Sequence, residues 1–133
     1  MRPLDLIHDW NAVAPRGPAP RARRVVLNDE TLRDGLQSPS VTDPEPDDKI
    51  RILHLMDALG IGAADIGLPG AGPRAKESAL LLAKEIARAG LRVAPNCAAR
   101  TMIRDIDPIL EISEAAGIAV EAATFIGSSP IRQ

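Results

Sequence analysis

A unit that recurs three times along the chain limits the folds this sequence can adopt. Each copy contains a helical stretch ending in glycine, an aliphatic residue, a short apolar run and a polar cluster: DALGIGAADIG, ARAGLRVAPNC and EAAGIAVEAATF. The glycines Gly60, Gly90 and Gly117 are about 30 residues apart, the size of one strand-helix unit. Glycine suits this position because it adopts the left-handed conformation that closes a helix. The repeat therefore predicts helices alternating with parallel strands.

Apolar periodicity and helix-terminal residues place the individual elements. We predict helices over residues 47–59 and 73–89, and a third helix that starts at Pro108. The first helix should bury one face, formed by Ile50, Leu53, Met56 and Leu59. Strands are predicted near residues 25–28, 63–67, 91–95 and 118–123. The order is then β1-α1-β2-α2-β3-α3-β4, an α/β fold with right-handed crossovers.

The polar residues of this pattern fall on or after the carboxyl ends of the strands, which share one face in a parallel α/β fold. They are Asn28 to Asp34, Asp65, Asn96, Cys97, Arg100, Glu121, Thr124, Ser128 and Ser129. A flavodoxin-like open sheet and part of a TIM barrel both fit, and the pattern alone does not choose between them. A dinucleotide site is disfavoured because RDGLQ stands where a glycine-rich fingerprint would be.

Composition excludes several functional classes. A hydrophobic content of 45% can build a core, and a net charge of −2 gives no electrostatic footprint for nucleic acid. No apolar stretch approaches the ~20 residues of a membrane span. With one cysteine, Cys97, and no signal-peptide pattern, we expect a cytoplasmic protein. Residues 1–24 are interpreted as an N-terminal extension with a Pro/Arg linker, and residues 25–133 as the domain.

Arg33 and Asp34 are adjacent, and their side chains are the ones in this sequence that most clearly suit catalysis. An aspartate offers a hard oxygen ligand to Mg²⁺, Mn²⁺ or Zn²⁺, and an arginine offers a fork of donors to a carboxylate or a developing oxyanion. Gly35 could let the backbone bend so that both side chains enter the mouth of a barrel. The pair suits chemistry on a metal-chelated oxo acid. An ion pair in a polar turn is the alternative.

The stretch DETLRDGLQ resembles the first-strand signature of a metal-dependent, Claisen-condensing TIM-barrel family with a pyruvate-carboxyltransferase-like domain. This family includes 2-isopropylmalate, homocitrate and citramalate synthases and 3-hydroxy-3-methylglutaryl-CoA lyase. ADIGLPGAG, NCAAR and TFIGSSPIR resemble its second, third and fourth strand motifs, in order. The resemblance extends from about Val25 to Gln133 and implies the N-terminal half of a (β/α)8 barrel.

The resemblance also implies residue roles. Asp34 would bind a divalent metal that chelates a 2-oxo acid, and Arg33 would stabilise the enolate-like oxygen when the carbanion of acetyl-CoA attacks. Asp65 occupies the family's catalytic glutamate position on the second strand. Gln37, Thr124 and Ser128 correspond to substrate-binding positions. The motifs favour 2-isopropylmalate synthase acting on 2-oxoisovalerate, with homocitrate or citramalate synthesis as the next alternatives. The lyase, which cleaves a carbon–carbon bond of a 3-hydroxy-acyl-CoA, is a more distant alternative favoured only by Leu36.

The family completes its metal site with a His-x-His pair, which the sequence lacks. Three interpretations follow. The chain is the N-terminal part of a longer enzyme; it is a half-barrel that forms a composite site with another chain, as in a homo-oligomer; or it is a non-catalytic binding module. Cys97 is expected to be a packed apolar residue and His54 to be structural.

Overall fold

The computed structural model describes residues 25–127 and residue 131, so the predicted extension over 1–24, together with Ser128 and Arg132, lies outside the described residues. The predicted division between extension and domain stays a prediction. The helices are α1 (Pro46–Leu59), α2 (Pro73–Ala89) and α3 (Ile103–Ala116). The strands are β1 (Asn28–Asp29), β2 (Ala63–Asp65), β3 (Ala94–Arg100) and β4 (Glu121–Phe125).

The four strands form one parallel sheet in the order β1-β2-β3-β4, which confirms the α/β class and the predicted order of elements. A flavodoxin-like sheet would place β1 between β2 and β3, whereas sequential order is that of a barrel. The sheet is staggered, because β3 pairs with β2 through Ala94–Asn96 and with β4 through Asn96–Arg100. Stagger of this kind accompanies the strand tilt of barrels, although this sheet remains open.

All three helices end as the sequence predicts. Gly60, Gly90 and Gly117 have φ values of 81°, 62° and 70° and follow α1, α2 and α3 directly. Each glycine N–H bonds to a carbonyl of the preceding turn, so the left-handed residue closes the helix. Asp47 and Asp48 lie in the first turn of α1, where the helix dipole favours negative charge.

The predicted start of α3 at Pro108 is wrong. The carbonyl of Met102 accepts hydrogen bonds from the N–H groups of Asp105 (2.9 Å) and Ile106 (3.2 Å), so the helix begins at Ile103. Pro108 lies inside α3 and lacks the N–H that would bond to the carbonyl of Arg104. The preference of proline for a first turn is therefore misleading here.

Two further expectations are corrected by the structure. Leu59 is exposed at the end of α1, whereas Leu53 and Met56 are buried and Ile50 is partly buried. The third strand begins at Ala94, later than predicted, so Asn96 and Cys97 lie within β3. Continuous pairing of β3 with β4 from Asn96 to Arg100 explains this shift.

The core lies between the sheet and the helices. Its sheet side includes Ala64, Ile66, Cys97 and Ala99, and its helix side includes Leu53, Met56, Leu82, Ile86, Ile109 and Ile112. Cys97 is fully buried there, as expected for a packed apolar residue. Burial, followed by the nearby charge of Asp65, raises the pKa of its thiol to about 12. Within the described part of the chain, no helix has the length and apolar character needed to cross a membrane.

The turn after β2 is held close to α3. An added Cβ at Gly70 would come within 2.9 Å of the Asp105 Cγ, so this position requires glycine for close approach. Asp105 is buried and accepts a hydrogen bond from Arg100 Nη2 at 2.9 Å. The hydrogen bond from Arg100 lowers the pKa of Asp105 although burial opposes it. This pair ties the end of β3 to the first turn of α3.

Candidate active site

The turn that follows β1 carries Arg33 and Asp34, the residues predicted to stabilise the enolate-like oxygen and to bind the metal. The N–H of Thr31 donates to Asp29 Oδ1 (2.8 Å), and the N–H groups of Arg33 and Gly35 donate to the Glu30 carbonyl. Leu32 is buried and anchors the turn in the core. Gly35 does not have a positive φ, and an added Cβ would meet nothing closer than 3.8 Å. The bend therefore depends on the hydrogen bonds and on Leu32. Our expectation that Gly35 provides the bend is wrong.

Arg33 is the centre of a four-residue ionic cluster. Its Nε donates to Asp65 Oδ2 (2.9 Å) and its Nη1 to Asp34 Oδ1 (2.9 Å), while Nη2 pairs with Glu30 Oε2. Burial on its own would lower the pKa of Arg33. The hydrogen bond and charge of Asp65, with the charges of Glu30 and Asp34, nevertheless raise it. One guanidinium thus holds three carboxylates, and the cluster has a surplus of negative charge.

The three carboxylates differ in their access to solvent. The Asp65 side chain is only 3% exposed, whereas those of Glu30 and Asp34 are 47% and 67% exposed. Asp65 Oδ1 also accepts the Gly67 N–H at 3.1 Å. Both Asp65 oxygens are therefore occupied, and Asp65 fixes the inner edge of the Arg33 guanidinium. The contact between Asp65 and Arg33 forms although aspartate is one methylene shorter than the family's glutamate.

Polar side chains continue along the face of the sheet that the helices leave uncovered. Asp65 is in register with Asn96 on β3, so both side chains point to the same face. Asn96 Nδ2 donates to Asn28 Oδ1 on β1 at 2.7 Å, spanning β2. The opposite face carries Ala64 and Cys97, which belong to the core. The sheet is thus apolar towards the helices and polar towards the face on which Arg33 is held.

Arg33 and Gln37 line a cleft of about 470 Å³ that extends between the loops after β1 and β2. Asp43, Lys49, Arg74 and Ser78 form its far end, and Leu32, Ile66, Leu68 and Ala75 form apolar walls. Lys49 Nζ bonds to Asp43 Oδ1 (2.7 Å) and to Ser78 Oγ (3.3 Å). Arg74 Nη2 donates to Asp43 Oδ2 at 2.8 Å. Two cations share one carboxylate at this end.

Thr124 is not part of this group of side chains. Thr124 lies on β4 in register with Ala99, which is a core residue on the helix-covered face of the sheet. Its side chain is exposed, and it does not line the cleft that contains Arg33 and Gln37. Ser128 lies outside the described residues. The substrate-binding roles of both residues stay predictions.

Sequence reasoning assigned no role to Glu30, Asp43 or Lys49. Glu30 stands inside the DETLRD motif, three residues before its partner Arg33, and could have been found from that spacing. Lys49 adjoins the apolar stripe of α1, where a lysine that is 10% exposed needs a buried or semi-buried partner. No local signal identifies Asp43 as that partner, because it precedes α1 in a proline-rich turn.

The described residues do not by themselves form a metal site. Among them there is no group of three His, Cys, Asp or Glu side chains placed to hold a metal ion. Asp34 could offer one carboxylate, but its Oδ1 is already bound to Arg33. A catalytic divalent cation needs several oxygen or nitrogen ligands. The described residues therefore supply only part of the ligand set that such a cation needs, as the absence of a His-x-His pair in the sequence also indicates.

Comparison with known proteins identifies the family, although no family model matches the chain. The chain is 32% identical over 124 residues to a homocitrate synthase of Methanocaldococcus jannaschii, covering 93% of the chain and 28% of that protein. It is 34% identical over 139 residues to a 2-isopropylmalate synthase of Neisseria gonorrhoeae, covering 98% and 21% respectively. A 2-isopropylmalate synthase of Methylococcus capsulatus is 35% identical over 109 residues, which are 81% of the chain and 20% of that protein.

The chain thus spans between a fifth and somewhat over a quarter of the length of these relatives. The matches cover most of the described domain, including the Arg33–Asp34 turn and the sequentially ordered parallel sheet. They confirm the resemblance carried by DETLRDGLQ and the three later motifs. The chain belongs to the family of 2-isopropylmalate and homocitrate synthases.

Proposed function

We propose that this chain takes part in the condensation of acetyl-CoA with a 2-oxo acid, most closely the 2-isopropylmalate synthase reaction with 2-oxoisovalerate. The observation that carries the proposal is the guanidinium of Arg33, oriented by buried Asp65 at 2.9 Å in a member of the synthase family. The guanidinium presents fixed hydrogen-bond donors at the carboxyl end of the parallel strands. Such donors suit an oxyanion that develops during carbon–carbon bond formation.

The cluster divides the three nitrogens of Arg33 into one locked and two exchangeable donors. Nε is held by Asp65, whose side chain is buried. Nη1 and Nη2 pair with the exposed carboxylates of Asp34 and Glu30. Ion pairs with exposed groups contribute little stability, so a substrate carboxylate or enolate oxygen can replace them at low cost. Asp65 then acts as a positioning residue, and Arg33 contacts the substrate.

Asp34 is the residue we assign to a divalent cation. When bound, such a cation supplies Lewis-acid polarisation of the ketone of the 2-oxo acid. The Asp34 Oδ1 that would hold such a cation is the oxygen that now accepts the hydrogen bond of Arg33 Nη1, so it would have to give up that contact. The remaining ligands must come from residues other than the described ones, either elsewhere in a longer polypeptide or on a second copy of the chain.

Homocitrate synthesis is the second candidate. It is favoured by the homocitrate synthase of Methanocaldococcus jannaschii, which matches 93% of the chain. The two reactions share acetyl-CoA and differ in the side chain of the 2-oxo acid. The alternative that is not an enzyme is a non-catalytic binding module from the same family.

Release of free thiol from acetyl-CoA tests the proposal. The chain is assayed together with the residues that complete the metal site, in a longer polypeptide that contains it or as an oligomer, with Mg²⁺ or Mn²⁺ and each of 2-oxoisovalerate, 2-oxoglutarate and pyruvate. We expect thiol release that depends on the cation and is strongest with 2-oxoisovalerate. Asp34→Asn and Arg33→Lys should lose it, while Asp47→Asn and Arg51→Lys, at exposed positions on α1, serve as matched controls.

No thiol release with any oxo acid, when the ligands that complete the metal site are present, would refute the proposed reaction for this chain. Release that persists in Asp34→Asn would refute the assigned role of that carboxylate. A preference for 2-oxoglutarate would select homocitrate synthesis. Binding of an oxo acid without turnover would favour the non-catalytic module, and a shift in melting temperature would detect it.

A further inference from the structure

Exposed apolar side chains are grouped where the chain enters the sheet. The group, called here the entry patch, has five members, each at least 61% exposed: Val25, Val26 and Leu27, which lead into β1, and Leu55 and Leu59 on α1. On the central helix α2, by contrast, the large apolar side chains are buried or partly buried, apart from Leu81 at 36%. An exposed apolar group of this size indicates an interaction surface.

Contacts between the segment before β1 and the turn after α1 bring the two parts of the entry patch together. The Leu27 carbonyl accepts a hydrogen bond from the Gly62 N–H at 3.1 Å. An added Cβ at Gly62 would overlap the Val26 side chain, so this side chain lies directly on the turn. Leu59 is the last residue of α1, and Leu55 lies one helical turn earlier on the same side. The entry patch therefore lies at the amino ends of β1 and β2.

The part of the chain that precedes the entry patch carries apolar side chains of its own. Residues 1–24 connect directly to Val25, and residues 4–13 include five large apolar side chains: Leu4, Leu6, Ile7, Trp10 and Val13. Residues 14–24 have none and are rich in proline and arginine. Eleven extended residues can span about 36 Å, whereas Leu55 and Leu59 are only about 6 Å apart along the helix. Residues 4–13 can therefore reach the entry patch.

Attachment to the same chain favours this segment over a separate partner. A linker that spans the two sites gives a tethered segment an effective concentration in roughly the millimolar range, far above that of a second copy in dilute solution. The charges are also complementary. Arg51 lies one turn before Leu55 on α1 and is 80% exposed, and the segment carries Asp5 and Asp9 between its apolar residues.

We propose that residues 4–13 pack against the entry patch, with Trp10 and its apolar neighbours covering Leu55 and Leu59. The contact lies at the amino ends of the strands, whereas Arg33 follows the carboxyl end of β1. In barrels the amino ends of the strands contribute to stability and the carboxyl ends to catalysis. The contact therefore stabilises the fold, and it goes beyond the proposed function without depending on it.

Fluorescence of Trp10 tests this contact, because Trp10 is the only tryptophan and the chain has no tyrosine. In the full chain we expect emission at a shorter wavelength than that of free tryptophan, and quenching by acrylamide that is severalfold weaker. The double variant Leu55→Gln with Leu59→Gln should shift the emission to longer wavelength and restore quenching, because the apolar surface is lost. Leu55→Met with Leu59→Met keeps an apolar surface and should retain the emission of the unmodified chain.

Leu110→Gln is the matched control. Leu110 is a leucine of α3 that is 55% exposed, and α2 packs between α3 and α1. The control should leave the emission of Trp10 unchanged, and circular dichroism checks that every variant remains folded.

Emission and quenching like those of free tryptophan in the folded chain would overturn the proposal. Equal shifts in Leu110→Gln and in the Leu55→Gln, Leu59→Gln double variant would also overturn it. A shift to longer wavelength on dilution would assign the contact to a second copy and reject the intramolecular one. Thiol release is not a readout of this experiment, so the contact and the proposed reaction can fail separately.

Discussion

The two ends of the cleft contain the same kinds of charged side chain in opposite proportions. At one end, Arg33 is a single cation bonded to Glu30, Asp34 and Asp65. At the other, Asp43 is a single carboxylate bonded to Lys49 and Arg74. The first end therefore retains negative charge and the second retains positive charge.

In each end one partner is buried and the remaining partners are exposed. Asp65 fixes Arg33 from inside the fold, and Lys49 fixes Asp43 in the same way. Exposed partners can exchange with ligands, because surface ion pairs contribute little to stability. In each group, the buried contact therefore sets the geometry, and the exposed contacts are those that a ligand can replace.

Removal of Arg33 should have the largest effect on stability. In Arg33→Met the buried carboxylate of Asp65 loses its cation, and breaking such a contact costs about 3 kcal/mol. Arg33→Lys keeps the positive charge and should therefore recover part of this loss. The recovery should be incomplete, because an ammonium cannot hold three carboxylates in the geometry of a guanidinium. Urea denaturation measures both variants. An Arg33→Met protein as stable as Arg51→Met would show that Asp65 does not depend on Arg33.

Removal of Lys49 should have the next largest effect. Lys49→Met keeps an apolar stem of similar length but leaves Asp43 with Arg74 alone, at a cost of about 1.5 kcal/mol. The loss is smaller than at Arg33 because Asp43 remains partly hydrated. Lys84→Met, at an exposed position on α2, is the control for the loss of a lysine charge. Equal urea midpoints for the two lysine variants would contradict a structural role for Lys49.

Acid titration tests a second group, in which two basic side chains contact one carboxylate. Glu85 accepts hydrogen bonds from Arg88 and pairs with His54 at 2.7 Å, and these contacts lower the pKa of Glu85 from 4.5 to about 2. The folded-state pKa is depressed, so the contribution to stability is complete above pH 4.5 and is lost as pH falls towards 2.

Glu85→Gln should therefore be less stable than the unmodified protein at pH 5, and the difference should shrink as the pH falls towards 2. Thermal melts at several pH values measure the difference. A gap between the two proteins that stays constant from pH 5 to pH 2 would show that the charge of Glu85 does not contribute. His54, expected from the sequence to be structural, is part of this contact.

Loss of an exposed carboxylate at the Arg33 end should change stability little. In Asp34→Asn we expect a change below about 1 kcal/mol, because the Asp34 side chain is 67% exposed and Asp65 still holds Arg33. The same substitution should abolish thiol release in the proposed reaction. A large loss of stability would instead make Asp34 part of the structural framework.

The exposed cation at the Asp43 end should have the smallest effect. Arg74→Gln is expected to change the free energy of unfolding by no more than about 0.5 kcal/mol, as is usual for surface substitutions. Urea denaturation beside Lys49→Met gives a direct comparison of the exposed and the buried partner of Asp43. Equal losses in the two variants would remove the distinction between fixed and exchangeable contacts.

The order of elements and part of the Arg33 site could be predicted from the sequence. Gly60, Gly90 and Gly117 mark helix ends through a local conformational requirement, and DETLRDGLQ places Arg33 beside Asp34 by adjacency alone. The start of α3 was mispredicted because proline is favoured in a first turn but is also tolerated further along when one hydrogen bond is lost.

Contacts between distant segments were harder to foresee. The pairing of Asp43 with Lys49 and Arg74 depends on how α1 and α2 pack, and apolar periodicity carries no information about it. The orientation of Thr124 depends on the register of β4 against β3, and a shift of one residue exchanges the two faces of the sheet.

The sequential strand order has a consequence for how the chain acquires its structure. Each strand pairs with the strand of the next unit along the chain, so the sheet contains no pairing that must wait for a distant segment. For a parallel sheet, these sequence separations lower the entropic cost of each pairing relative to a strand order that skips units. The hydrogen bond between Asn28 and Asn96 spans three units and can form only after the middle strand is in place. That contact is therefore a late marker, and its formation would report that β1, β2 and β3 have assembled in register.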